Sequence, residues 1–391
     1  MAPVLNLSAA EKQHLREIAA RILQPGKGVL ASDDTAGKWL LFFARSLLPL
    51  ADGLGPRLEA LGHENTAENR RLYRQILYTT PHFGENISSV ILIEETFNQK
   101  SDSGRRFVDV LNDHGCVVGV QADQGLEPLT ESGAAEDETH TRGLEGLDER
   151  LAAYKKGGAE FAKWRAALAV GAGRPSAVAL RRNAEELAAY ALACQRHGLV
   201  PFVEPDVATF NGTHSLLEAQ RATERALAFT FAALTEWGVY LEGIVLKPNM
   251  VTAGASAPGV RPSAEEIAEA TIEAFRRTIP PAVPGKWPPN PPRSSSLFAG
   301  GVFLSGGHSD LNATLYLNAI ARSKLQKPWF LTFCYGRAIQ GPVMHAWAGK
   351  PANIKAAQKT LLHRARANGD AQRGSYEGEE KVAAEVEKLH L

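Results

Sequence analysis

Short apolar runs that end in polar or glycine residues recur along the chain, with helical periodicity between them. Eight such runs stand out: GVLASDD (28–34), SVILIEET (89–96), CVVGVQAD (116–123), FAKWRAAL (161–168), LVPFVEPD (199–206), GIVLKPNM (243–250), GVFLSGG (301–307) and WFLTFCYGR (329–337). Between most of them the apolar positions recur at helical spacing, as in SAVALRRNAEELAAYALACQRHG and SAEEIAEATIEAFRRTI. About eight strand–helix units predict an α/β fold of one domain, a closed (β/α)8 TIM barrel. An open doubly wound sheet is the alternative, but no Gly-x-Gly-x-x-Gly opens a helix.

Two stretches interrupt the alternation. Residues 38–55, KWLLFFARSLLPLADGLG, follow the first strand and are apolar. Residues 284–300, PGKWPPNPPRSSSLFAG, precede the seventh and are rich in proline and serine. A segment after a barrel strand belongs to the face that holds active sites, and a segment before one belongs to the opposite face. The expected organisation is a barrel over 1–374 carrying both inserts, then a C-terminal tail, 375–391, that reads as a disordered terminus. The first residues, MAPVLNLSAAEKQHLREIAARIL, predict a capped amphipathic helix and resemble neither a secretory signal nor a transit peptide.

Composition narrows the choice of function. The 391 residues carry 43 Lys+Arg and 43 Asp+Glu, a formal net charge of zero. No global field recruits nucleic acid, and no apolar run is long enough to cross a bilayer. Three scattered cysteines, Cys116, Cys194 and Cys334, point to free thiols in a reducing, cytoplasmic setting. The 11 histidines form no close pair on a helix face and the cysteines no cluster, so no metal is expected, and no cofactor is expected either.

In a barrel, polar residues at the strand ends share one mouth. This chain brings there Asp33 and Asp34, Lys163 and Arg165, Glu204 and Asp206, Lys247, the run Ser305-Gly306-Gly307, and Arg337. A single strand lysine usually snorkels or pairs with a carboxylate. A lysine among two carboxylates and a second lysine suits a nucleophilic amine, because burial and a nearby cation both favour its neutral form. The glycine pair after strand seven exposes N–H groups, and Arg337 adds a donor fork. Both suit phosphate, at the position where barrels often bind it.

The runs PGKGVLASDD, ENRRLYRQIL, YKKGGAEFAKWR, LKPNMVT, FLSGG and KPWFLTFCYGRA resemble those of class I, metal-independent fructose-bisphosphate aldolase. The likeness extends from the N-terminal helix to about Gly374, apart from the inserts. It implies a barrel enzyme, usually a homotetramer, that cleaves fructose 1,6-bisphosphate into dihydroxyacetone phosphate and glyceraldehyde 3-phosphate. By that resemblance Lys247 forms the Schiff base. Asp33 takes the hydroxyl proton, Glu204 serves as acid and base, and Lys163 stabilises the network. Ser305, Gly306, Gly307 and Arg337 hold the ketone-end phosphate. Arg165, Thr35 and Arg57 belong to the aldehyde side, where Lys38, which departs from the family, is a candidate replacement cation.

The chain departs from that pattern in three places. Gln121 stands where the family has a phosphate-binding lysine. Lys38 and Pro56 replace a serine and a lysine. No tyrosine ends the chain, and His390 is the nearest candidate stand-in. Two alternatives stay open: a dihydroxyacetone-phosphate aldolase for another aldehyde, with fructose 1-phosphate as an example substrate, and a barrel retained as a non-catalytic scaffold.

Overall fold

The structure is a computed structural model that describes residues 6–37, 53–208, 212–281 and 300–389. Lys38, His390 and the bulk of both inserts lie outside the described residues. Eight strands form the barrel: β1 Gly28–Ser32, β2 Ile87–Leu92, β3 Val117–Gln121, β4 Phe161–Leu168, β5 Val200–Val207, β6 Val245–Leu246, β7 Gly301–Phe303 and β8 Leu331–Tyr335. The sheet closes, with β1 paired to both β2 and β8 and all neighbours parallel. The expected fold is therefore present, with each strand inside or within two residues of the run that predicted it.

Two apolar layers set the barrel's shape. Alternate residues point inward, so Val29, Ile91, Val117, Phe161, Phe202 and Val302 fill the barrel floor. The Phe161 and Phe202 rings stack with centroids 4.3 Å apart. Gly119 makes room for them, since a Cβ there would lie 2.3 Å from the Phe161 ring. The helix Ala9–Ile22 plugs the floor with Leu15, Ile18 and Ile22. Its start is fixed by a capping box between Ser8 and Glu11, a pattern repeated by Ser263 and Glu266 at the helix Ala264–Thr278. The outward residues, among them Val90, Val118, Trp164 and Val203, pack under the surrounding helices.

Three features differ from expectation. β6 has only two residues and stops before Lys247. Pro248 has no N–H to donate, so the ladder ends there. The Lys247 N–H still donates to the Val203 carbonyl at 2.8 Å, which keeps the lysine in register with β5. An antiparallel ribbon, Leu126–Pro128 with Thr139–Thr141, lies between β3 and β4 and was not anticipated. The tail is not a disordered terminus through residue 389. It forms the helix Glu379–Glu387, buries Val382 and Val386, and pairs Glu379 with Arg364 at 2.7 Å.

Replacing Phe161 with alanine removes one ring of the stacked floor and leaves a cavity. The expected loss is about 3–5 kcal/mol, read by chemical denaturation. A loss under 1 kcal/mol would mean that the floor does not set the barrel's stability.

Candidate active site

The period of two along each strand places chemistry on the inner face and apolar bulk on the outer one. On β4, Lys163 and Arg165 point inward while Trp164 is buried outside. On β5, Glu204 and Asp206 continue the inward row of Phe202. Asp33 and Lys247 follow immediately after β1 and β6.

Lys163 occupies the centre of the cluster. Its ammonium lies 2.9 Å from Asp33 Oδ2, 3.1 Å from Glu204 Oε2 and 3.9 Å from Asp123 Oδ2. The other oxygen of Glu204 lies 2.9 Å from Lys247 Nζ. Lys163, Glu204 and Lys247 are all buried. The order of charges is Asp33, Lys163, Glu204, Lys247, alternating in sign. Burial opposes the Asp33 carboxylate, but Lys163 and Lys247 outweigh it and hold the carboxyl below its usual range. Burial likewise opposes the Lys163 ammonium, but Asp33, Glu204 and Asp123 raise it well above an ordinary lysine.

Lys247 is the balanced member. Burial and Lys163 favour its neutral form; Cys334, Glu204 and Asp33 favour the ammonium and lift it above the usual value. The Cys334 share requires a thiolate, and burial pushes that thiol up to about 12. At neutral pH the thiol carries no charge, so only the carboxylates hold the proton on Lys247. Both neutralising influences expected from the sequence are thus present, and Glu204 opposes them at hydrogen-bond distance.

A cavity of about 300 Å³ opens above this row. Ser305, Gly306, Gly336 and Arg337 form one wall. Gly306 and Gly307 have φ of +55° and +86°, a conformation that favours glycine, and His308 N–H closes the turn onto Ser305 O at 2.9 Å. Arg337 opens the helix Arg337–Trp347 directly after Gly336, so the helix N-terminus faces the same wall. Burial and Arg337 push the neighbouring His308 down to about 4, so it is neutral at pH 7. Thr35, Gln121, Arg165, Thr139 and Arg142 line the remainder.

Most expected site residues meet in this cavity, with three exceptions. Gly307 shapes the turn without lining the cavity. Arg57 sits behind the rim, paired to Asp34 at 2.6 Å, and Asp34 also accepts from Gln340 at 2.7 Å. Lys38 is outside the described residues. Gly37 and Gly53 come close to each other, and Leu54 N–H donates to Thr35 O at 2.9 Å. Sequence reasoning missed Asp123, Cys334 and Arg142. Asp123 follows β3 as Asp33 follows β1, so the same strand-end rule identifies it. It accepts from the Gln121 amide at 2.8 Å and from the Arg165 and Gly125 N–H groups at 3.3 Å. Arg142 arrives on the ribbon and had no such signal.

Comparison with known proteins agrees with this geometry. The family model for class-I fructose-bisphosphate aldolase matches residues 14–391. The chain belongs to this family. Fructose-bisphosphate aldolase 2 of Caenorhabditis elegans is 48% identical over 386 residues, covering 99% of this chain and 96% of that one. The fructose-bisphosphate aldolase of Drosophila melanogaster is 47% identical over 378 residues, covering 96% and 95%. A solved aldolase from Plasmodium falciparum, in complex with TRAP and a small-molecule inhibitor, superposes with a TM-score of 0.84 at 38% identity, covering 97% of this chain and 99% of that one. The aldolase match runs past Gly374 to the last residue, consistent with the packed tail helix.

The charge row has a defined pH window. Asp33, lowered in the fold, adds stability that is present above its unfolded value near ~4 and is lost as pH falls through its folded value. Lys163, raised in the fold, adds stability that is present below ~10.4 and is lost as pH rises through its folded value. The variant Lys163→Met removes the first of the two cations that hold Asp33 down, together with its hydrogen bond, so the carboxyl moves up from its position in the parent and the stability it adds above ~4 shrinks. The melting-temperature deficit against the parent should therefore be larger at pH 7 than at pH 3. A constant deficit would contradict the pairing.

Proposed function

We propose that this chain cleaves fructose 1,6-bisphosphate, reversibly, into dihydroxyacetone phosphate and glyceraldehyde 3-phosphate through a Schiff base on Lys247. The observation that carries the reading is the Glu204 carboxylate, which contacts Lys247 with one oxygen and Lys163 with the other. That arrangement lets Glu204 receive the proton that Lys247 must lose to become a nucleophile.

The geometry supports the following steps. The neutral amine attacks the ketone carbon and forms a carbinolamine. Glu204, now protonated, returns its proton to the departing hydroxyl, which leaves as water. The resulting iminium accepts the electron pair when the adjacent carbon–carbon bond breaks. Asp33 takes the proton of the hydroxyl that becomes the aldehyde. Lys163 remains charged throughout and steadies whichever carboxylate is ionised. After the aldehyde departs, the proton taken up by Asp33 is the one the enamine carbon needs; its return restores the iminium, and water hydrolyses that to dihydroxyacetone phosphate and the free Lys247 amine. The Ser305–Gly306 turn and Arg337 hold the phosphate at the ketone end, which fixes the carbonyl over Lys247.

Free, buried thiols at all three cysteines support a cytoplasmic setting, and family resemblance supports a homotetramer. No helix among the described residues is long and apolar enough to cross a membrane. Residues 1–374 act as one catalytic barrel, with 375–391 as its C-terminal arm.

Borohydride reduction in the presence of dihydroxyacetone phosphate should add one triose phosphate, and peptide mapping should find it on Lys247. The variant Lys247→Met should show no adduct and lose turnover by more than about a thousandfold. Absence of any adduct on the parent protein would refute the Schiff-base reading.

A further inference from the structure

Strand order decides which sides of the mouth can hold anions. In a ring of eight strands, β3 stands opposite β7 and β4 opposite β8. The Ser305–Gly306 turn follows β7 and Arg337 follows β8, so the first phosphate site lies on that side. A sugar with a phosphate at each end of its carbon chain, straddling Lys247, puts its second phosphate near the wall that follows β3 and β4.

On that wall the ribbon Leu126–Pro128 with Thr139–Thr141 carries Arg142 to the cavity. The backbone pins it: Gln124 N–H donates to Arg142 O, and Arg142 N–H donates to Gly125 O, both at 2.9 Å. The guanidinium donates to Gln124 O at 3.0 Å and lies 3.4 Å from Glu127, with the side chain one-third exposed. Its neighbours Gln121 and Asp123 bring no positive charge. Arg165 faces Asp206 at 2.8 Å, which balances its charge inside the cavity. Arg57 follows β1, which adjoins β8, and sits behind the rim on Asp34.

We propose that Arg142 is a ligand of the second phosphate, the one carried by the aldehyde half of the substrate. This rests on the aldolase reading above and assigns it a specificity residue on the ribbon. The guanidinium leaves Glu127 and takes the phosphate oxygens with its donor fork. Glu127 is nearly half exposed, so water solvates its carboxylate once the arginine moves. Thr139, also lining the cavity, closes the same wall.

The test compares two sugars that differ only in that phosphate. For Arg142→Gln, kcat/KM with fructose 1,6-bisphosphate should fall about tenfold to a hundredfold, mainly through KM. With fructose 1-phosphate it should stay unchanged, and Arg142→Lys should recover part of the loss. Equal losses on both sugars would show a role in ribbon structure alone and overturn the assignment, as would no loss on either. If the parent protein cleaves neither sugar and traps no triose phosphate, the aldolase reading fails and this assignment falls with it.

Discussion

One buried ammonium between two carboxylates governs the mouth of this barrel. Each ion of the row costs several kcal/mol to remove from water, and alternation of sign along the row is what offsets that cost. Lys163 is central because it touches Asp33 and Glu204 at 2.9 and 3.1 Å. Without it two buried carboxylates would face each other across the cavity, and one would be driven to protonate. The scaffold meets this demand by drawing the four groups from β1, β4, β5 and β6. Their spacing is set by the aromatic floor and the plugging N-terminal helix.

The two halves of the mouth handle charge differently. Around Lys247 the side chains are buried and the charges are paired, so a proton can move over a single 2.9 Å contact without leaving the cluster. At the wall proposed for phosphate the donors are backbone N–H groups of a glycine turn and a helix start, joined by Arg337. Fixed dipoles suit a permanently charged group, whereas titrating side chains suit a step in which a proton must change owner. The opposite wall carries a neutral amide at Gln121 and the permanently charged guanidinium of Arg142.

The barrel was legible because its strands are short apolar runs and its helices carry strong periodicity and capping boxes. The row proposed as catalytic was legible because strand ends share one face, so Asp33, Lys163, Glu204 and Lys247 could be grouped without any contact information. Other features were not. Arg142 immediately follows a ribbon of two three-residue strands, too short for alternation to register. The retreat of Arg57 to Asp34 depends on Gln340 and Arg74, which are distant in sequence and converge only in the fold. The tail helix buries only two valines, a weak pattern beside its exposed charges. The proton balance at Lys247 depends on which oxygen of Glu204 faces which lysine, and no sequence pattern encodes that.

The claim at the centre is that Glu204 keeps the proton on Lys247 until the substrate arrives. Its most direct test is a pH titration of Lys247 by NMR on protein labelled with ¹³C-lysine, with the signal assigned through Lys247→Arg. In Glu204→Gln, burial and Lys163 meet only Asp33 in opposition, so the Lys247 midpoint should move down. A midpoint that does not move on loss of Glu204 would contradict the claim.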